Sequence, residues 1–164
     1  MPQLRPLLIL LIVPVLALLA SAPAASAAPI HDEFERQIVT KINALRADQG
    51  LSPLRSSRKL ARAASRHSRD QLRYDRLSHT SGNGTPFKVR AAKIARNALV
   101  GETVAWLPDG MGDRADRAVL MWMQSPGHAA QLMRPRFKKI GIGRWYGAMS
   151  LEAGIALTAN FSSK

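Results

Sequence analysis

The sequence predicts an α+β domain, with helices first and a small antiparallel sheet at the end of the chain. Before residue 125, apolar residues mostly recur every three or four positions, which is typical of helices with one buried face. After Pro135, apolar residues alternate with polar residues or glycine, which is typical of strands. The chain has no cysteine, so disulfide frameworks, Cys-ligated metal centres and thiolate catalysis are excluded.

The first 27 residues have the features of a secretory signal peptide. Arg5 precedes an uncharged stretch over Leu7–Ala20, and Ala25-Ser26-Ala27 matches a cleavage site. This stretch is shorter than the roughly 20 residues that span a bilayer, and the alternative is an uncleaved N-terminal anchor. We therefore expect a signal peptide over residues 1–27, a single domain over residues 28–164, and a secreted protein that is extracellular or periplasmic.

Four helices and three strands follow from the pattern. The helices are predicted over residues 31–49, 57–74, 86–95 and 113–124. Gly50 ends the first helix, and Ser125-Pro126-Gly127 ends the fourth. The strands are predicted at Leu99–Trp106, Lys139–Trp145 and Gly154–Phe161, of which the last two form a hairpin or meander.

The second predicted helix has a strongly basic face. Its cations between Arg58 and Arg73 are opposed on that helix only by Asp70; they are Arg58, Lys59, Arg62, Arg66, Arg69 and Arg73. Such a face either solvates the protein or contacts an anionic surface, such as a membrane or an envelope polymer. The net charge of +13 permits nucleic-acid binding, but the aromatic content of 5% and the export signal argue against that partner.

A few side chains are candidates for chemistry. His79 lies in a loop rich in Ser and Gly, Glu102 lies among apolar strand residues, and His128 follows the end of the fourth helix. A buried carboxylate needs a partner, although a strand-edge glutamate facing water explains Glu102 equally well. His67 lies on the apolar stripe of the second helix, as a core or cleft-wall residue. Ser125 precedes His128 by three positions, without the G-x-S-x-G motif of serine hydrolases.

Two histidines and a glutamate match the composition of a catalytic zinc site with an open position. The chain has no H-E-x-x-H motif, so the spacing of these residues does not by itself indicate a metal. The ordinary alternatives are a loop histidine at position 79 and a capping or packing histidine at position 128.

Several segments, in order along the chain, carry a family resemblance. They are Ile42-Asn43-Ala44-Leu45-Arg46, Leu60 to Asp70, Leu77-Ser78-His79-Thr80, Gly101-Glu102-Thr103, Trp122 to His128, Phe137 to Gly143, and Thr158-Ala159-Asn160-Phe161. With these segments the chain resembles the CAP superfamily of cysteine-rich secretory, antigen 5 and pathogenesis-related 1 proteins. It is most similar to the short bacterial branch of SCP-like extracellular proteins.

The resemblance implies a three-layer α-β-α sandwich with a central antiparallel sheet. It also implies a cleft lined by His79, Glu102 and His128. Members that have a second acidic residue in this cleft can hold a divalent cation, often zinc, between the histidines. We place Ser125 and His67 beside the cleft. The second acidic residue is missing near Ser125, and Thr103 replaces the usual Asn.

These expectations give two functional hypotheses. The first is a secreted binding protein whose cleft takes a small ligand, a lipid or a divalent cation. The alternative is a metal-assisted hydrolase, with zinc on His79 and His128 and with Glu102 as the general base. The oligomeric state stays open.

Overall fold

Helices cover both faces of a four-stranded sheet. The computed structural model describes residues 32–110, 112 and 114–164, so the predicted signal peptide lies outside the described residues. The described elements are α1 (Glu33–Asp48), β1 (Arg55–Ser56), α2 (Arg58–Arg73), α3 (Phe87–Ile94), β2 (Val100–Pro108), α4 (Arg114–Gln124), α5 (Pro126–Leu132), β3 (Lys139–Met149) and β4 (Glu152–Ser162). None of these helices is long and apolar enough to cross a membrane.

The sheet has the order β1-β3-β4-β2. β3 and β4 form the predicted hairpin, and it is longer than the alternation indicated. Ser150 and Leu151 connect the two strands, both with positive φ, as a tight hairpin turn requires. β1 pairs in parallel with β3, so the sheet is mixed rather than wholly antiparallel. A strand of two residues is too short for alternation to reveal it.

Alternation along β3 separates the two helical layers. Ile140 and Ile142 are buried in the main core with Ile38 of α1 and Trp122 of α4. The intervening glycines point to the opposite face. A Cβ on Gly143 would meet the backbone of α2 within 2.0 Å, so α2 packs directly on this strand. The predicted three-layer α-β-α arrangement is confirmed.

Two polar residues of α1 tie the following loop to the fold. The Asn43 side chain donates to the Leu54 carbonyl and accepts from the Leu54 amide, at 3.1 and 2.8 Å. Arg46 is fully buried, and its Nη1 donates to the Leu132 carbonyl at 2.6 Å. Because backbone carbonyls satisfy the buried guanidinium, the Asn-x-x-Arg spacing in α1 has a structural role.

The chain restarts a helix at Ser125-Pro126-Gly127, where the sequence is compatible with either a helix end or a restart. α4 ends at Gln124 as expected, and Pro126 then occupies the first turn of α5. Proline is tolerated there because the first N–H groups of a helix have no partner within it. This restart places His128 in the first turn of α5.

Candidate functional site

Four elements bring the predicted site residues to the edge of the sheet that β2 forms. Glu102 lies on β2, His79 lies in the loop between α2 and α3, and His128 lies on α5. His67 projects from the buried face of α2. The structure therefore brings together side chains from segments that are far apart in the sequence.

The Glu102 carboxylate is the centre of a buried hydrogen-bond network. Its side chain is 1% exposed. Oε1 accepts from His79 Nδ1 at 3.1 Å and from Arg90 Nη2 at 3.0 Å, and Oε2 accepts from Arg90 Nη1 at 2.9 Å. With its amide turned to satisfy both ends, Asn160 also donates to Oε2 at 3.2 Å. Both carboxylate oxygens are thus already used within the protein.

This network keeps Glu102 ionised. Burial alone would raise the pKa of Glu102, but the hydrogen bonds from His79 and Arg90 and the nearby charges of His67 and Arg90 outweigh it. The pKa of Glu102 is therefore lower than its ordinary value. Glu102 accordingly acts as a fixed anion that orients the residues around it.

Arg90 is the site residue that the sequence analysis missed. It lies on α3, and besides its paired contact with Glu102 its Nη2 donates to the His79 carbonyl at 2.7 Å. One guanidinium thus holds both the strand carboxylate and the loop that carries His79. The available signal was the buried glutamate itself, because a carboxylate among apolar strand residues demands a cation from a neighbouring element.

His67 lies beneath the network as a wall residue. It is 2% exposed, and its Nε2 lies 2.7 Å from the Ser78 carbonyl and 3.7 Å from Glu102 Oε1. Nε2 also lies 3.2 Å from Arg90 Nη2, which only donates, but its shorter contact is with the Ser78 carbonyl, which only accepts. The shorter contact assigns the proton to Nε2, so Nδ1 of the neutral ring has a lone pair. Burial lowers the pKa of His67 despite the opposing charge of Glu102, so the neutral ring is favoured.

His79 and His128 face each other at the surface of the site. Their ring centroids are 5.6 Å apart in an edge-to-face arrangement. Because Nδ1 of His79 donates to Glu102, Nε2 of the neutral ring is left with a lone pair. Burial, and then the charge of His79, lower the pKa of His128. Ser125 is the N-cap residue of α5, but its side chain makes no capping hydrogen bond.

The residues present do not fit a three-ligand zinc centre. A catalytic zinc ion takes about three protein ligands and keeps one open position. In the part of the chain that the structure describes, no group of three or more His, Asp or Glu side chains is arranged to hold a metal ion. Both oxygens of Glu102 accept from Arg90, and His67 Nδ1 is buried beneath the network. Among the described site residues, the His79 and His128 rings are therefore the nitrogen ligands that a metal could reach.

The family assignment rests on a match over most of the chain. Residues 39–152 match the family model described as CAP: Cysteine-rich secretory protein family. The chain belongs to the CAP family. YkwD from Bacillus subtilis (strain 168) is 30% identical over 146 residues, which cover 88% of this chain and 51% of that protein. This CAP chain therefore spans about half the length of that relative.

Solved structures support the same fold. An extracellular protein containing an SCP domain from Bacillus anthracis is similar with a TM-score of 0.64 and 25% identity, over 80% of this chain and 40% of that chain. An outer surface protein from Borrelia burgdorferi has a TM-score of 0.64 and 23% identity, over 80% of this chain and 92% of that chain. Venom allergen-like protein 4 from Schistosoma mansoni has a TM-score of 0.57 at 14% identity, covering 80% and 89% of the two chains.

Acid is expected to destabilise this CAP domain in two stages. The pKa of His67 is lower in the fold than the roughly 6.5 of an unfolded chain, so stability falls as the pH drops below that value. The pKa of Glu102 is also lowered, so its contribution is present above about pH 4.3 and is lost on further acidification. Urea unfolding midpoints measured between pH 8 and pH 3 test this. We expect His67→Gln to reduce the upper stage and Glu102→Gln to reduce the lower one, whereas profiles identical to the wild type would contradict these roles.

Proposed function

We propose that this CAP domain is a secreted binding protein that holds the chain of a fatty acid in a groove between α1 and α4. The observation that carries the proposal is an open groove of about 950 Å³. Its walls combine apolar residues with a few charged ones: Lys41, Ala44, Leu45, Gly112, Asp116, Arg117, Val119, Leu120 and Met123. The size lies within the range of about 300–1,000 Å³ that is typical of small-molecule sites.

The apolar walls are the first support for an acyl chain. Leu120 is 49% exposed, although it lies on a helix whose other apolar residues are largely buried. Val119 and Met123 lie one turn apart on α4, and Leu45 faces them from α1. An accessible apolar groove of this kind is typical of a ligand or partner site rather than of an idle surface.

The charges in the groove favour an anionic head. Lys41 of α1 pairs with Asp116 of α4 at 2.6 Å, so this cation already has a partner. Arg117 lines the groove and forms no ion pair with any described residue. An apolar wall beside an unpaired guanidinium matches a molecule with a long chain and one carboxylate, which is a fatty acid.

Two features outside the groove support secretion and a surface contact. The leader over residues 1–27 has the composition of an export signal, and similar proteins are described as extracellular or outer surface proteins. The six cations of the α2 basic face, between Arg58 and Arg73, are all exposed. We propose that this face keeps the protein near an anionic surface, such as a membrane or an envelope polymer.

The cleft is a second candidate site, with a different ligand chemistry. His79 and His128 present ring nitrogens at 5.6 Å between centroids, which favours a small polar ligand that donates hydrogen bonds. A hydrolase that uses Glu102 as general base is less well supported, because both oxygens of Glu102 accept from Arg90 and His79. The groove and this cleft involve different helices and are separable by mutation.

The test is a fatty-acid titration of the purified protein and two matched variants. Displacement of a fluorescent fatty acid by palmitate measures the affinity. Leu120→Glu places a charge in the groove and is expected to weaken binding by about tenfold or more, since burying a leucine is worth about 1.5–3 kcal/mol. Arg117→Ala is expected to weaken binding of palmitate but not of its uncharged methyl ester.

The control is Leu77→Glu, which changes an exposed leucine of the α2–α3 loop outside the groove. This variant should bind palmitate as the wild type does. Equal loss in Leu120→Glu and Leu77→Glu, or no binding by the wild type, would contradict the groove as the lipid site. Loss confined to variants of His79 and His128 would favour the cleft instead.

A further inference from the structure

We infer that a second cavity, between α2 and α3, binds a phosphate group that carries an ionisable hydroxyl, either free phosphate or a phosphate monoester. This cavity has a volume of about 370 Å³. α2, α3 and the intervening loop form its walls, which include Arg90 and His67 but neither His79 nor His128. It shares no residue with the groove between α1 and α4.

The walls of the cavity are positively charged. Lys59 and Arg66 contribute from α2 and Lys93 contributes from α3, and none of the three forms an ion pair within the described part of the chain. Asp70 is the acidic wall residue, and its Oδ2 accepts from the Gly82 amide at 2.7 Å. The cations outnumber the carboxylate, so the cavity favours an anion.

Arg90 supplies an unused donor. Its two terminal nitrogens are used by Glu102 and by the His79 carbonyl. Its Nε is buried and has no hydrogen-bond partner among the described residues, while the residue itself lines the cavity. A buried N–H without a partner is costly, and an anion oxygen would satisfy it with a charge-assisted hydrogen bond.

His67 supplies an unused acceptor. Nε2 carries the proton because it faces the Ser78 carbonyl, so Nδ1 of the neutral ring has a lone pair. Nδ1 is buried without a partner among the described residues, and His67 also lines the cavity. A site whose cationic donors lie beside acceptors, here the His67 lone pair and the Asp70 carboxylate, suits an oxoanion that retains a proton. Inorganic phosphate retains at least one proton near neutral pH, and a phosphate monoester, whose second pKa is about 6, takes one up close to that range, whereas sulfate and phosphate diesters have none.

The inference is tested by calorimetry with inorganic phosphate, in a phosphate-free buffer at constant ionic strength. The wild type is expected to bind one phosphate per chain. Lys93→Glu is expected to weaken binding by about tenfold or more, because it replaces a charged donor by a carboxylate. Lys88→Glu makes the same charge change on an exposed lysine of α3 outside the cavity, and its affinity should stay within about twofold of the wild type.

Two further arms define the ligand. Sulfate is expected to bind at least about tenfold more weakly than phosphate, because it leaves the His67 acceptor unsatisfied. Vesicles of phosphatidylcholine containing phosphatidic acid, which is a phosphate monoester, distinguish a lipid headgroup from a free phosphate. Competition by inorganic phosphate would assign the headgroup to the cavity, and its absence would assign the cavity to soluble phosphate.

Three results would overturn the inference. They are an absence of phosphate binding at about 10 mM phosphate, equal weakening in the Lys93→Glu and Lys88→Glu variants, and sulfate binding as tight as phosphate binding. Far-ultraviolet circular dichroism and the urea midpoint of each variant verify that both exposed substitutions leave the fold intact.

Discussion

Replacing Gly143 by alanine is expected to lower the free energy of unfolding by more than about 3 kcal/mol. This is at or above the largest cost that is usual when an extra methyl group is forced into a packed core. A Cβ at this position would lie 2.0 Å from the Ser65 nitrogen and 2.6 Å from the Ala64 carbonyl carbon. Both atoms belong to the backbone of α2, so no side-chain rotation relieves the contact. Because domains of this size have only about 5–15 kcal/mol of stability, urea denaturation should show a large fall in the midpoint.

Gly127→Ala is the matched control for this substitution. Gly127 lies in α5, and a Cβ there would meet nothing within 4 Å. Alanine in a helix is favoured over glycine by about 0.5–1 kcal/mol, so this variant should be neutral or slightly stabilised. If the two variants unfold at the same urea concentration, the direct packing of α2 on β3 is wrong.

Removing the Arg90 guanidinium is expected to lower the free energy of unfolding by about 3 kcal/mol. This value is the lower end of the range for breaking a buried ion pair, because the Arg90 side chain is 16% exposed. Arg90→Ala would leave the buried Glu102 carboxylate with hydrogen bonds from His79 and Asn160 and without its arginine. The pKa of Glu102 should consequently rise, and the acid-induced loss of stability should begin at a higher pH than in the wild type. Urea unfolding at several pH values measures both effects.

Two variants separate this effect from the loss of an arbitrary arginine. Arg96 is exposed just beyond α3, so Arg96→Ala should change stability by no more than about 0.5 kcal/mol. Arg90→Ala combined with Glu102→Gln removes the unpaired charge and should recover part of the lost stability. An Arg90→Ala variant as stable as Arg96→Ala would contradict the buried network.

The spacing of apolar residues predicted those helices and strands whose pattern lies within one continuous segment of the sequence. The apolar stripe of α2 led to Leu60, Ala64 and His67 on a buried face, and the structure confirms this face. The alternation after Pro135 led to the β3–β4 hairpin. In contrast, β1 is only two residues long and exists through its pairing with β3, so no periodicity could reveal it.

The candidate sites depend on contacts between side chains of different elements, and the spacing of apolar residues along the chain carries no information about such contacts. Arg90 and Glu102 belong to different elements, and their contact arises only when α3 packs near β2. The resemblance led to His79, Glu102 and His128, and the structure brings them together. The resemblance did not predict the groove between α1 and α4. In the sequence, the exposed apolar residues of α4 have the same spacing as core residues, and only the structure shows the open space beside α1. The cations around the second cavity similarly resemble a solvated face.

A titration of the ¹⁵N-labelled protein with palmitate, followed by amide chemical shifts, locates the ligand site residue by residue. Saturable shifts are expected at α1 and α4, centred on Ala44, Leu120 and Met123, with little change at His79 and His128. Shifts confined to the His79–His128 cleft, or no saturable shifts at all, would contradict the assignment of the groove between α1 and α4 as the ligand site.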